Sequence, residues 1–388
     1  MLKIPFSKVT CDGNELNYIS DVLKSGWLTT ASKALELEQQ FVDYTGARYA
    51  LAMNSCTAAL HLGLEALGVR PGDRVFVPAM TFTATAEVVR YLDADPVFLD
   101  VEYGTNLITP AILEKAILQY PDVKYLMVVH FGGHPAEMVN SANQGIADIC
   151  QRHGIRVIED AAHAFPASIN GHRIGSIGDV TCFSFYANKT ITTGEGGMLT
   201  TNNEDIYKRV KVMRLHGINR DVWDRFTSDK PSWEYDVIAP GFKYNMPDLN
   251  AAIGLAQMER AEEFRVARQR IAEYYYTELA DLPCLDLPVC KVPHKDHSWH
   301  LFPVVLNSLS PVSRNRLVEL LSEKGIGTSV HYKPVYRMSY YRDRAGLDAS
   351  HFPSCEKTWR GTFSLPIYPL LTTEELDYIV NSIWEILT

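Results

Sequence analysis

One lysine lies in a segment whose composition suits the binding of a reactive small molecule. Lys189 follows the apolar run Phe183–Tyr186 and precedes the glycine-rich stretch Gly194-Glu195-Gly196-Gly197. A lone lysine after a strand is most often a surface residue. Here Ser184 lies five residues earlier, and the glycines permit close backbone approach to a ligand. A lysine in a walled pocket loses its proton easily enough to form a Schiff base, so Lys189 is a candidate catalytic residue.

A second candidate group is a carboxylate at the end of an apolar run. The sequence Val157-Ile158-Glu159-Asp160-Ala161-Ala162-His163 ends such a run in two acids, and small residues then leave room beside them. Asp160 is placed to hold a protonated ring nitrogen or, alternatively, to cap a following helix. Because neighbouring strand residues point to opposite faces, we do not expect Glu159 to share a metal or glycosidase site with Asp160.

A third segment is typical of phosphate binding. In Asn54-Ser55-Cys56-Thr57 a predicted strand runs into a helix whose first turn carries small hydroxyl residues. Free N–H groups and the helix dipole make such a position attractive to a phosphate group. A simple helix cap at Ser55 or Thr57 is the alternative. The chain contains no GxGxxG or GxxxxGK[ST] motif, so a dinucleotide fold or a P-loop has no support.

All three groups follow predicted strands in an alternating pattern of strands and helices. The predicted strands are Tyr49–Met53, Arg74–Pro78, Pro96–Asp100, Tyr125–His130, Ile155–Glu159, Thr181–Tyr186 and Met198–Thr201. Amphipathic segments such as Thr57–Leu67 and Ile108–Leu118 are predicted helices between them. The pattern indicates a mostly parallel sheet between helices, an α/β fold. Functional groups in such sheets gather at the carboxyl ends of the strands.

The pattern changes near residue 247. Pro247 and Asp248 have the character of a first helical turn, and the apolar spacing that follows predicts one long helix to about Leu279. We therefore predict a large α/β domain over residues 1–248. A smaller C-terminal α+β domain over residues 249–388 is predicted to be entered by this helix.

Composition excludes several classes of protein. The 388 residues are 46% hydrophobic and 21% charged, which is typical of a folded chain with a sizeable core. The formal net charge of −9 argues against nucleic-acid binding as the main function. Seven cysteines without a CxxC pair argue against a disulfide framework or structural zinc and favour a reducing cytoplasm. No apolar stretch is long enough to predict a membrane span, and no metal site is expected.

The three candidate groups together match the requirements of pyridoxal 5'-phosphate. This cofactor needs an anchor for its phosphate, an anion for its ring nitrogen and a lysine for its aldehyde. Residues 55–57, Asp160 and Lys189 supply these groups. Phe82, which follows another predicted strand, is placed either to stack on the ring or simply to pack in the core.

The whole chain resembles the DegT-type sugar aminotransferases, which are pyridoxal-phosphate enzymes of fold type I that act on nucleotide-linked keto sugars. The matching segments are Asp12–Glu15, Ser25–Thr30, His216–Ile218, Trp223–Arg225, Ala239–Asp248 and Lys324–Thr328. Within the family, the sequence is most similar to the enzymes that form UDP-4-amino-4-deoxy-L-arabinose, followed by the perosamine synthases. Two positions depart from the family pattern: Ala31-Ser32 replaces a frequent Gly-Pro pair, and Phe82 replaces a frequent Trp or Tyr.

The resemblance implies specific roles and a homodimer with shared active sites. It implies that Lys189 carries the cofactor and that Asp160 pairs with its ring nitrogen. The further implied cofactor contacts are Ser55, Cys56, Thr57, Phe82, His163, Ser184 and, from the neighbouring subunit, Asn245. The implied substrate contacts are Thr29, Thr30 and His331. For Asn245, a cap on its own helix is the alternative.

The predicted activity is amination of a nucleotide-linked 4-keto sugar with L-glutamate as donor, for surface-polysaccharide or related amino-sugar biosynthesis. A related branch that dehydrates its sugar has histidine in place of the lysine, and Lys189 argues against that branch. Two alternatives stay open at this point. One is a 3-keto-sugar aminotransferase of the same family, and the other is a non-catalytic regulator that binds pyridoxal phosphate.

Overall fold

A seven-stranded sheet forms the centre of the larger part of the chain. The computed structural model describes residues 2–219 and 235–388, and the Trp223–Arg225 segment lies outside these ranges. The strands of this part are β1 (Tyr49–Met53), β2 (Arg74–Pro78), β3 (Asp95–Leu99), β4 (Tyr125–Val129), β5 (Arg156–Asp160), β6 (Ser168–Ile169), β7 (His172–Arg173), β8 (Val180–Ser184) and β9 (Gly197–Thr201). Strands β6 and β7 form a separate two-stranded hairpin.

The order of the large sheet is β1-β9-β8-β5-β4-β2-β3. Adjacent strands are parallel in the series β8, β5, β4, β2, β3. Strand β9 pairs antiparallel with both β8 and β1. Most strand residues are apolar and buried, as expected for a sheet covered on both faces. The prediction of a mostly parallel sheet between helices is confirmed.

Within residues 2–219, seven α-helices belong to the same part of the chain as this sheet. They are α1 (Glu15–Ser25), α2 (Ser32–Thr45), α3 (Cys56–Leu67), α4 (Ala84–Tyr91), α5 (Pro110–Gln119), α6 (Ile146–His153) and α7 (Glu204–Met213). Helix α3 begins at Cys56, directly after its N-cap Ser55 and one residue earlier than predicted. Helix α5 begins two residues later than predicted because the Thr109 side chain caps it and Pro110 occupies its first position.

The prediction of one long helix after Pro247 is wrong, because this segment forms two helices. Helix α8 spans Asp248–Glu259 and helix α9 spans Ala261–Glu278. Between them, Arg260 leaves helical geometry, with φ −114° and ψ 5°. Its guanidinium group pairs with Asp12 and Glu263. No glycine or proline marks this break in the sequence, so only contacts with a distant part of the chain reveal it.

The C-terminal part is a smaller α+β unit, as predicted. Its elements are β10 (Leu285–Asp286), β11 (Phe302–Leu306), α10 (Arg314–Glu323), α11 (Ser339–Ala345), α12 (Pro353–Gly361), β12 (Thr362–Leu365) and α13 (Thr373–Leu387). The three strands form an antiparallel sheet in the order β10-β11-β12. The N-terminal residue Ile4 packs into the apolar core of this unit, together with Ile271 and Tyr275 of α9. No helix within the described ranges is both long and apolar enough to cross a membrane.

Candidate active site

A cavity of about 380 Å³ opens at the carboxyl ends of several strands of the large sheet. Four segments that follow β1, β2, β5 and β8 supply most of its wall. The predicted residues that line it are Ser55, Cys56, Thr57, Phe82, Asp160, His163, Ser184, Lys189 and His331. Residues that are far apart in sequence therefore share one site, as the alternating strand pattern indicated.

Lys189 presents its amine to this cavity. Burial lowers the pKa of Lys189 to about 8, although the charges of nearby Cys56 and Asp160 raise it. Among the described residues, none forms an ion pair with its ammonium group. A lysine whose pKa is reduced in this way is neutral, and hence nucleophilic, in a much larger fraction of molecules near neutral pH.

Asp160 is the buried anion of the site. Burial raises the pKa of its carboxyl group, and hydrogen bonds from Thr85 and the Ala162 backbone oppose this effect. The Thr85 hydroxyl donates to Oδ2 at 2.7 Å, and the Ala162 N–H donates to Oδ1 at 3.1 Å. Thr85 itself lies 2.8 Å from the buried hydroxyl of Thr81. Because Thr85 donates to the carboxylate, Thr81 donates to Thr85, which makes a directed chain that favours the charged carboxylate.

Glu159 faces the other side of the sheet, as strand alternation predicted. Its carboxylate accepts hydrogen bonds from the Gly178 N–H at 2.7 Å and from the Thr181 hydroxyl at 2.8 Å. It also lies 3.0 Å from Nε2 of buried His130. These contacts satisfy a fully buried carboxylate away from the cavity, so the two adjacent acids serve separate environments.

The start of α3 forms an anion-binding corner of the cavity. Ser55 is its N-cap and accepts the Ala58 N–H at 3.1 Å. Among the described residues, the N–H groups of Cys56 and Thr57 have no backbone or side-chain acceptor. Gly197 of β9 passes so close that a Cβ there would lie 2.6 Å from the Cys56 nitrogen. The glycine therefore permits the contact between β9 and this helix start, and the corner suits a phosphate group.

His163 is held in one neutral form by its two ring contacts. Burial lowers the pKa of His163 well below its ordinary value. Its Nδ1 accepts the Gly132 N–H at 3.2 Å, so the proton of the neutral ring resides on Nε2. Nε2 then donates to the Tyr332 hydroxyl at 3.1 Å. Tyr332 also lines the cavity, which places a second, unpredicted polar group beside His163.

The remaining predicted wall residues have different degrees of exposure. Phe82 is 55% exposed and its ring centroid lies 5.9 Å from that of Tyr332, so its face is available to a ligand rather than buried in the core. The Ser184 hydroxyl accepts the Tyr186 N–H at 3.3 Å. His331 is buried against the Ser364 hydroxyl at 2.9 Å, and burial lowers the pKa of His331 to about 4.

Thr29, Thr30 and Asn245 do not line this cavity in the single chain. The Asn245 amide donates to the Thr30 hydroxyl at 2.6 Å, and that hydroxyl donates to the Met246 carbonyl at 2.6 Å. Thr29 accepts the Asp248 N–H through its carbonyl oxygen at 3.3 Å. Helix α8 follows Pro247 without a side-chain cap, so Asn245 makes no capping bond to it. The three residues instead form one cluster outside the cavity.

Sequence reasoning missed Thr85 and Tyr332. Thr85 lies three residues after Phe82, and Tyr332 directly follows His331, so both are neighbours of predicted residues. Nothing in their local pattern distinguishes them, because their partners Asp160 and His163 are distant in sequence. Within the described ranges, no three His, Cys, Asp or Glu side chains converge as metal ligands.

Comparison with known proteins gives a consistent result over nearly the whole chain. Residues 10–384 match the model of the DegT/DnrJ/EryC1/StrS aminotransferase family. The chain is 38% identical over 387 residues to the spore coat polysaccharide biosynthesis protein SpsC of Bacillus subtilis (strain 168), covering 99% of this chain and 97% of that protein.

Solved structures show the same relationship. The putative sugar aminotransferase Spr1654 from Streptococcus pneumoniae in its PMP-form superimposes with a TM-score of 0.88 at 32% identity, covering 99% of this chain and 98% of the other. Its PLP-form also gives a TM-score of 0.88, at 31% identity. PseC of Helicobacter pylori shares the fold with a TM-score of 0.89 at 24% identity, covering 100% of this chain and 99% of the other.

Proposed function

Because this chain belongs to the DegT/DnrJ/EryC1/StrS aminotransferase family, we propose that it transfers an amino group from L-glutamate to carbon 4 of a nucleotide-linked keto sugar. The chain is a pyridoxal-phosphate-dependent sugar aminotransferase of fold type I. The predictions of an enzyme, of its cofactor and of its fold class are therefore confirmed. The donor, the nucleotide and the position of amination are the further content of the proposal.

The side chains of the cavity fit pyridoxal phosphate. The free N–H groups of Cys56 and Thr57, together with the Ser184 hydroxyl, suit its phosphate group. The buried Asp160 carboxylate suits its ring nitrogen, and the exposed face of Phe82 suits the ring itself. Lys189, with its lowered pKa, suits the aldehyde. This convergence of cation, anion and helix start in one cavity is the observation that carries the amino-transfer chemistry of the proposal.

Lys189 and Asp160 divide the chemistry between proton movement and charge stabilisation. Pyridoxal phosphate, when bound, accepts the electron pair that remains when an amino-acid α-carbon loses its proton. Lys189 Nζ takes that proton, for which a neutral amine is required. Asp160 holds a proton at the ring nitrogen through its negative charge, and Thr85 and Ala162 keep that charge stabilised by hydrogen bonding. Phe82 and Tyr332 both line the cavity, with their ring centroids 5.9 Å apart.

The proposed substrate class follows from the family and from its relatives. SpsC is named for spore coat polysaccharide biosynthesis, which supports an amino-sugar product destined for a surface polysaccharide. The resemblance of the Ala239–Asp248 and Lys324–Thr328 segments to enzymes that aminate UDP-linked 4-keto sugars supports carbon 4 and a nucleotide. A 3-keto-sugar aminotransferase remains the second candidate, because it would use the same Lys189 and Asp160.

A substrate panel tests this proposal. We expect that purified enzyme, supplied with L-glutamate, will form more 2-oxoglutarate than the single equivalent per bound cofactor only when a nucleotide-linked 4-keto sugar is present. The panel contains UDP-, GDP- and dTDP-linked 4-keto sugars, their 3-keto counterparts and a 4-keto sugar without a nucleotide. Mass spectrometry and NMR of the product locate the new amine. If only the 3-keto sugars turn over, the proposed position of amination changes from carbon 4 to carbon 3. Equal turnover of the nucleotide-free sugar would refute the nucleotide requirement.

We also propose that the active site is shared within a homodimer. Asn245 pairs with Thr30 on its own chain and lies outside that chain's cavity, although it neighbours Met53 at the end of β1. A polar cluster at that position is available to a second subunit. In the shared arrangement, Asn245 of one chain reaches the phosphate bound by the other.

A mixing experiment distinguishes the shared arrangement from an own-chain one. We expect Lys189→Ala chains and Asn245→Asp chains, each poorly active alone, to regain activity when they are refolded together. In the mixed dimer, one site combines both defects and the other has an intact Lys189 and an intact Asn245. The measurement is turnover against the fraction of mixed dimer, which differently tagged chains allow to be isolated. If isolated mixed dimers stay as inactive as their parents, each chain uses its own Asn245.

A further inference from the structure

A second and larger cavity lies on the small α+β unit. Its volume is about 870 Å³, and it shares no lining residue with the active-site cavity. Its wall comes from the ends of β10 and β11, the start of α10 and one face of α12. Four cationic and two acidic side chains line it: Arg314, Arg337, Lys357, Arg360, Asp286 and Glu356.

Both acids of this cleft already have partners within the protein. Asp286 accepts hydrogen bonds from the Tyr103 hydroxyl and from the Asn307 amide, the latter at 2.8 Å. Glu356 accepts from Arg337 Nε at 2.6 Å and from the Tyr336 hydroxyl at 2.6 Å. Their lone pairs are largely occupied, and one cation, Arg337, is neutralised by this pairing.

The other three cations have no carboxylate partner among the described residues. Arg314 donates only to neutral oxygens, to the Thr362 carbonyl at 2.8 Å and to the Asn315 side chain at 2.7 Å. Burial without a counter-charge lowers the pKa of Arg314. Lys357 Nζ lies 3.6 Å from the centroid of the Tyr103 ring. Arg360 is exposed, and beside the larger effect of Arg337 its charge contributes to lowering the pKa of Glu356 without forming a direct ion pair with it. This local positive excess occurs in a chain whose formal net charge is −9.

We propose that this cleft is a binding site for a small molecule that carries a diphosphate group. The cleft has four cations and two carboxylates, a net excess of two positive charges, which suits a diphosphate with two or three negative charges. Guanidinium groups bind the oxygens of such a group in pairs. Helix α10 begins at the cleft, where both Ser313 and Arg314 line the wall, and its N-terminal dipole adds attraction for an anion. The cavity has room for the sugar or nucleoside that such a group commonly carries.

The test measures pyrophosphate binding to the cofactor-loaded enzyme, in which the phosphate corner of the active site is already filled. We expect isothermal titration calorimetry to detect binding at low ionic strength. Arg360→Gln and Lys357→Gln should each weaken it about 10-fold or more. Arg314→Gln should do the same, but its contacts with Thr362 make the two exposed positions the safer variants. Turnover of the amino-transfer reaction should be unchanged in Arg360→Gln and Lys357→Gln.

Arg316→Gln is the matched control, because it removes an arginine of the same helix that is already paired with Glu319 and Glu323. Its pyrophosphate affinity should equal that of the parent enzyme. UDP serves as a second ligand: competition with pyrophosphate assigns the site to nucleotides, and failure to compete assigns it to free diphosphates. Absence of pyrophosphate binding, or equal affinity in the parent, Arg360→Gln and Lys357→Gln, would overturn the proposal whether or not the enzyme is active on keto sugars.

Discussion

Lys189→Ala is expected to abolish amino transfer, with kcat reduced by about 10⁴-fold or more. The variant loses both the amine that engages the cofactor aldehyde and the base that moves the α-carbon proton. No other lysine lines the cavity within the described ranges, so no neighbour substitutes for it. The measurements are steady-state turnover and the visible absorbance of the lysine-bound cofactor, which should disappear in the variant.

Two comparisons separate loss of chemistry from loss of structure. Lys208→Ala removes a lysine on α7 that pairs with Glu204, away from the cavity, and should leave kcat unchanged. Addition of a small amine such as methylamine to Lys189→Ala should restore a measurable part of the proton-transfer rate, because the deleted side chain leaves room for it. Wild-type turnover by Lys189→Ala would eliminate the proposed mechanism.

Asp160→Asn is expected to retain the cofactor but to lose about 10²- to 10³-fold in kcat, which corresponds to several kcal/mol of transition-state stabilisation. An amide fits the same space and can still accept the Ala162 N–H, but it carries no charge to keep the ring nitrogen protonated. The electron-accepting capacity of the ring then falls. The measurements are kcat for both half-reactions, cofactor affinity, and the pH dependence of the cofactor absorbance.

Substitutions at Thr85 test the same carboxylate with a smaller expected effect on kcat. Thr85→Val keeps the shape of the side chain but removes the donor to Oδ2, so it should raise the pKa of Asp160 and lower kcat by about 10-fold. Thr85→Ser keeps the donor and should remain close to the parent enzyme. Near-normal rates in Asp160→Asn would show that the carboxylate serves only as a local structural group. Equal effects of Thr85→Val and Thr85→Ser would assign the Thr85 effect to packing instead.

The candidate site was largely predictable because its parts are local. Lys189, Asp160 and the Ser55–Thr57 segment each occupy a short stretch in which an apolar strand ends and a polar turn begins. Strand alternation alone assigned Glu159 and Asp160 to opposite faces, and their hydrogen bonds confirm it. The position of Phe82 after a predicted strand also suggested a role at the site, and the family resemblance added His163 and His331. All three line the same cavity, although their roles remain predictions.

The groups that tune these residues were not predictable from local pattern. Thr85 and Asp160 are 75 positions apart, and Tyr332 and His163 are 169 positions apart. Their contacts depend on which strands become neighbours, and periodicity carries no information about strand order. The same reason explains the break at Arg260, where the residues that hold the guanidinium group include the distant Asp12.

The sequence by itself determined the fold class and the cofactor, and it predicted which side chains react, because these depend on side-chain types and on patterns shorter than about 20 residues. The tertiary structure decided how those groups are charged and oriented. Burial lowers the pKa of Lys189 and raises that of Asp160, and burial is a property of the assembled chain. The cationic cleft is likewise a tertiary feature. Nothing in the local sequence around Arg314 or Arg360 indicates a binding site, and the two residues line one cleft only because β10, α10 and α12 are neighbours in the fold.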